Sequence, residues 1–216
     1  MLVGHIGAAM FAKQIEPRLS LGTAALAATA SDGLLFAFVL TGFEDVEFRT
    51  STTAAPFFHP LQVALSHSLA SAIVVGALAG TLGWRTAGAR GAALLLALGV
   101  SHWVFDLITS PSLPLAPFAN VYAAWMLSRW IYASVTVEAA FWFGALALYV
   151  MESRSVTSAR RYIFWAGVVS WTYVAYANVA GHPRAADDAP VEMLILLAMI
   201  VGWAYWMNHA RAFKAD

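Results

Sequence analysis

The sequence predicts an all-α fold, a polytopic membrane helix bundle of about six transmembrane helices preceded by a short N-terminal helix. Three observations carry that prediction. Of 216 residues, 61% are hydrophobic and 11% charged, against about 45–50% and about 25% in soluble domains. A soluble chain of this size has no interior large enough to hide so much apolar surface. The apolar residues fall into runs of roughly the 20 residues that cross a bilayer, and the basic residues are distributed unequally between alternate connections.

Residues 1–12 are apolar but too short to span, so they are read as an interfacial helix or a half-helix dipping into the membrane. Lys13 follows this stretch rather than preceding it, the reverse of a signal peptide, so the segment is expected to belong to the mature structure. Spans are then expected near residues 20–42, 60–83, 91–110, 124–150, 161–180 and 190–208. They are too long for strands, and lipid admits only helices or closed barrels. Six crossings place Lys13, Arg18, Arg85, Arg90, Arg154, Arg160, Arg161, Arg211 and Lys214 on one side, against Arg49, Arg184 and Arg129 on the other. That bias predicts an inner (cytoplasmic) membrane protein with both termini cytoplasmic. The whole chain, 1–216, reads as one membrane domain, with the chemistry-bearing part in about 1–150 and two further spans at about 161–208.

The formal net charge is zero and no basic stripe points to nucleic acid. There is no cysteine, which excludes disulfides and thiolate metal sites. Serine-hydrolase elbow, phosphate-binding loop, HExxH and dinucleotide motifs are missing.

The spans are nevertheless not free of ionisable groups. Asp32 lies in the first, His67 in the second, His102 and Asp106 in the third and Glu138 in the fourth. Such groups are costly at membrane depth and usually functional. At about 1.5 Å per residue, His67 and His102 fall roughly 10 Å from the outer end of their helices and Asp32 and Glu138 roughly 15 Å. Asp106 lies nearer the surface, so all five occupy the outer half of the bilayer. His102, Asp106 and Thr109 share one helix side at i, i+4 and i+7, and His59, Val63, His67 and Ser71 are expected to line one side of the second span. Two ligands at i, i+4 can grip one ion, and imidazole with carboxylate suits a divalent metal: zinc first, with manganese or iron as alternatives. A half-helix rising from Lys13 would bring His5 to the same cluster. The competing reading is an Asp–His pair that only holds two helices together. Glu138 is a candidate base or a partner to a ligating histidine. Ser66 and Ser101 are expected to satisfy backbone carbonyls, Arg129 to snorkel or to hold an anionic head group, and the edge residues His59 and Glu44 to face solvent.

MLVGHIGAA at the start, AATASDGLL in the first span, SHSLASAI and SHWVFDLITSPSLPLAP together resemble the YdjM-like family of bacterial inner-membrane proteins, described as membrane-bound metal-dependent hydrolases. Within that group the chain is most similar to a branch with a VEAAFWFGALALY-like helix. The resemblance covers about residues 1–150; the last two spans share only hydrophobicity. It implies that His5, Asp32, His67, His102 and Asp106 form the metal site. The chain departs from the common pattern in having one acid in ASDG where a PD-x-D pair is usual. His59 also precedes His67 by eight positions rather than five. A second metal ion and a role for His59 therefore do not carry over.

The expected activity is metal-assisted hydrolysis in the outer half of the bilayer, on an amphiphilic substrate such as a lipid-linked phosphoester. A proton- or ion-coupled transporter is the alternative, disfavoured by the almost purely apolar cytoplasmic half of the spans and the lack of an inverted repeat. A non-catalytic membrane protein stabilised by metal is the third reading. The oligomeric state is left open.

Overall fold

The structure, a computed structural model, describes residues 2–48, 58–109, 112–123, 131–179 and 189–213. Among these are seven helices: α1 (Leu2–Ile15), α2 (Leu21–Thr41), α3 (Ala64–His67), α4 (Leu69–Thr109), α5 (Ile131–Glu152), α6 (Ser158–Val179) and α7 (Ala189–Ala210). Short antiparallel pairs join them: β1 (Asp45–Phe48) with β2 (Phe58–Gln62), β3 (Leu113–Pro114) with β4 (Tyr122–Ala123), and β5 (Ser153–Ser155) with β6 (Arg211–Phe213).

By length and apolarity four helices can cross a membrane, α2, α4, α5 and α7, which marks the chain as a membrane protein. The expected count of about six is not reached by that measure, for two reasons. The expected spans near 60–83 and 91–110 both fall largely inside α4. Helix α6 is long enough but too polar, with Arg160 and Arg161 in its first turn. Much of the outer surface is apolar, including Leu78, Val74, Val169, Ile195 and Met199, as suits a lipid-facing wall.

Helix α4 is two arms. Ala87 (φ −135°, ψ 16°) and Gly88 (φ 63°, ψ −153°) leave helical geometry, and the chain doubles back. The arms pack through small residues: a Cβ on Gly83 would lie 2.5 Å from the Gly91 carbonyl oxygen, and one on Gly76 2.6 Å from that of Leu96. Only glycine permits this approach, the usual device where two helices meet without a hydrophobic driving force. At the other end of the hairpin, the loop around β3 ties the arms together. Ala70 N–H donates to Leu115 O (3.0 Å) and Trp103 Nε1–H to Pro114 O (3.1 Å).

Helix α1 lies inside the bundle. Ile6, Ala9 and Met10 are fully buried, packed in one core with Ala24, Ala25 and Ala28 of α2 and Trp142, Ala145 and Tyr149 of α5. The alanines of α2 leave room for it. Ser20 starts α2 by accepting the Thr23 N–H, and Gly42 (φ 76°) ends it, with Phe43 N–H returning to Phe38 O.

The second expected span begins differently from its prediction. Residues 58–62 are strand, α3 is one turn, and Ser68 is extended (φ −84°, ψ 155°) before α4 starts. His59, Val63, His67 and Ser71 therefore do not share a helix face. The Ser68 hydroxyl caps the new helix instead, accepting from Ser71 N–H (3.2 Å).

Between α1 and α2, Arg18 grips both oxygens of Glu16 (2.9 and 3.0 Å) and reaches the Ala87 carbonyl at the break of α4. The hydrogen bond from Arg18 holds the Glu16 carboxyl down to about 2, from 4.5. Its stabilising contribution is thus complete above about 4.5 and lost as pH falls through about 2. The difference in melting temperature between wild type and Glu16→Gln is expected to close over that window; a constant difference would show that the ion pair does not couple to folding. Gly83→Leu should destabilise by about 1–3 kcal/mol or more through overpacking of the arm seam, measured by thermal melting in detergent.

Candidate metal centre

The second arm of α4 supplies His102 and Asp106 one helical turn apart, with His102 Nε2 and Asp106 Oδ2 3.1 Å from each other. His67, the last residue of α3, brings its Nε2 to 3.5 Å from Asp106 Oδ2, 3.5 Å from Asp32 Oδ1 and 3.4 Å from His102 Nε2. Asp32 Oδ1, from α2, is 3.7 Å from His102 Nε2. One donor atom from each of Asp32, His67, His102 and Asp106 thus lies within 4.8 Å of the others, a group that could hold a metal ion. Helix α1 adds His5, stacked on the His102 ring at 4.0 Å between centroids, with its Nε2 3.3 Å from Asp106 Oδ1. The two oxygens of Asp106 therefore face different imidazoles, Oδ1 toward His5 and Oδ2 toward His67 and His102.

The residues fit a cation on three grounds. First, donors about 2.0–2.2 Å from a tetrahedral ion sit roughly 3.3–3.6 Å apart, and the separations that involve His67 or His102 run from 3.1 to 3.7 Å, with the whole set within 4.8 Å. Second, His102 Nδ1 is 2.8 Å from the Ala28 carbonyl, an acceptor only, so it carries the proton. In neutral His102 the Nε2 lone pair is left aimed at a carboxylate and a second imidazole. His67 Nδ1 is likewise engaged, by the Ser66 hydroxyl at 2.8 Å, so both rings can be held with Nε2 bare, the orientation that metal-binding histidines adopt. Third, His5 is fully buried, yet neither ring nitrogen has a hydrogen-bond partner among the described residues; the Asp106 contact is close but poorly aligned. Two carboxylates balance a dication, which removes most of the cost of burying them among apolar helices.

The group is not sealed. His5 and His102 are 0% and 1% exposed, whereas the side chains of Asp32 and Asp106 keep 17% and 11%. What exposure the group has is thus carried by its carboxylates.

Glu138, on α5, meets the start of α1: its Oε1 accepts from Val3 N–H (3.1 Å) and Gly4 N–H (3.3 Å). Ser101 satisfies the Leu98 carbonyl as expected, but Ser66 meets His67 instead. Glu44, expected to face solvent, is buried, and its Oε1 accepts from Leu65 N–H (2.8 Å) and Ser66 N–H (2.9 Å). His59 lies in β2 opposite Glu47. Arg129, Arg49, Arg184 and His182 lie outside the described residues. Reading the sequence missed Ser66, Glu44 and the Ala28 carbonyl as supports of the site. The serine before His67 was the one available signal, since a backbone carbonyl carries none.

Removing Nε2 donors should abolish metal retention. Wild-type protein is expected to hold divalent metal stoichiometrically by elemental analysis, and His67→Ala and His102→Ala to lose it; unchanged metal content in both variants would refute the site. No family model matches the chain, and no curated protein or solved structure matches it.

Proposed function

We propose that the chain is a membrane-bound metal-dependent hydrolase acting on an amphiphilic substrate, a lipid-linked phosphoester, in the outer half of a bacterial inner membrane. The observation that carries this reading is the convergence of the Nε2 atoms of His67 and His102 and of two partly exposed carboxylates, from α2, α3 and α4, on one point inside an apolar bundle. His5 from α1 completes the set as a fifth donor. A divalent ion bound there, zinc by preference, supplies polarisation of the scissile group and acidification of water toward a pKa of about 7.

The protein's own groups have separable tasks. His102 and His67 are held by Ala28 O and Ser66 Oγ, so their rings do not turn when substrate enters. Asp32 is the more exposed of the two carboxylates, which suits it to accept a proton from water. Apolar walls exclude bulk water from the rest. Substrate class is supported by a cavity of about 650 Å³ between α2, the first arm of α4 and α7. Its lining is almost wholly apolar, with Ala27, Ala30 and Gly33 of α2 facing Leu78, Leu82 and Leu197. Gly33 adjoins Asp32 in the chain. The volume lies within the roughly 300–1,000 Å³ of ligand pockets, and such a wall suits an alkyl chain.

The test is hydrolysis by purified protein in nanodiscs, comparing a long-chain alkyl phosphodiester with a water-soluble aryl phosphate. Metal-dependent release from the long-chain ester alone is expected, abolished by chelation, restored by added zinc or manganese, and reduced about 100-fold or more in Asp106→Asn. Metal-loaded protein that leaves every phosphoester intact would defeat the hydrolase reading, and uptake of an ion by vesicles, lost in Asp106→Asn, would replace it with transport.

A further inference from the structure

Two glutamates far apart in the sequence make the same contact. Glu138 Oε1 accepts from the amides of Val3 and Gly4, and the next residue is His5. Glu44 Oε1 accepts from the amides of Leu65 and Ser66, and the next residue is His67. In each case one carboxylate oxygen gathers the two backbone N–H groups immediately ahead of a histidine that faces Asp106. Val3, Gly4 and Ser66 are buried and Leu65 is partly so, which leaves these amides little water to turn to. Both histidines sit close to a helix start: α3 has four residues, and His5 is in the first turn of the 14-residue α1. By contrast His102 lies within the second arm of α4, between the break at Gly88 and the helix end at Thr109, and among the described residues receives no such carboxylate.

We propose that Glu44 and Glu138 are positioning residues that hold His67 and His5, respectively, at the metal centre, and that neither transfers a proton nor binds the ion. The inference rests on the metal reading above. A carboxylate engaged with two amides forms charge-assisted hydrogen bonds, stronger than neutral ones, and the pair does for the two helix starts what a rigid scaffold does for His102. Each glutamate comes from an element other than that of its histidine: Glu138 from α5, and Glu44 from the bend after α2. The centre is thereby assembled only when α5 docks on α1 and the α2–β1 corner docks on α3.

Purified protein in detergent is titrated with Co²⁺, read by its visible d–d absorption, and separately treated with diethyl pyrocarbonate, with modification of His5 and His67 read by mass spectrometry. Glu44→Ala and Glu138→Ala should weaken Co²⁺ binding about 10–100-fold and alter the band intensity. Glu44→Gln and Glu138→Gln, which keep an oxygen acceptor in place, should stay close to wild type. Reactivity should rise in pairs: at His67 in Glu44→Ala, at His5 in Glu138→Ala. A general loss of folding would raise both together. Where an alanine variant does not fold, Glu→Asp, shorter by one methylene, takes its place with the same pairwise readout. Alanine variants that bind Co²⁺ like wild type with unchanged reactivities overturn the proposal, as do glutamine variants as weak as the alanine ones. Wild-type protein that takes up no Co²⁺ removes the metal reading, and the pairwise reactivities then still decide whether the glutamates hold these histidines.

Discussion

Charge neutrality inside an apolar bundle is the constraint around which this molecule is arranged. Asp32 and Asp106 sit among helices whose other inward groups are alanine, leucine and aromatic rings. An unpaired carboxylate in such surroundings costs several kcal/mol, and the bundle gathers both acids with imidazole nitrogens into one group in which a single dication would balance the two charges. Three of the elements exist to make that delivery: a short buried helix for His5, a single turn for His67, and the returning arm of α4 for His102 with Asp106.

Delivering side chains to an interior point creates a second problem, because helices that start inside a bundle leave backbone amides without partners. Glu138 and Glu44 answer it at α1 and α3, and Ser68 does so at the start of α4. The close seam between the arms of α4 belongs to the same logic. Gly76, Gly80, Gly83, Gly91 and Gly99 let two backbones touch, so the arm that carries His102 stays in contact with the arm that follows His67. The loop around β3 closes the far end through Trp103 and Ala70. Distances of 3.1–3.7 Å between donors from three helices require this rigidity, since a shift of one ångström would separate a ligand from a shared ion.

The site also has a direction. Its histidines are enclosed and its carboxylates partly open, so what enters meets negative charge first. An apolar cavity runs along α2, the helix that carries Asp32, from Thr23 to Leu34. A polar centre with a greasy flank is the arrangement an amphiphile requires, because head and tail must be accommodated at once.

Composition and run length were enough to place this chain in a membrane as a helical bundle, because apolar content and the length of a bilayer crossing are properties a linear sequence displays directly. Spacing was enough to pair His102 with Asp106, because four residues are one helical turn. The boundaries of α2, α6 and α7 were readable to within a few residues for the same reason. The doubling back at Gly88 was readable as the turn between the spans near 60–83 and 91–110, and a dipping half-helix was one of the two readings of residues 1–12. The break at Ser68 was not readable, since it depends on what the local backbone packs against. Least visible were the partners of the site: Ala28 carbonyl for His102, Glu44 for the amides before His67, Glu138 for those before His5. Those contacts span 74, 21 and 135 residues and join a side chain to a backbone group. Every residue type carries the same amide and carbonyl, so no pattern of letters marks the one that will be met, and the choice falls to the packing of the helices.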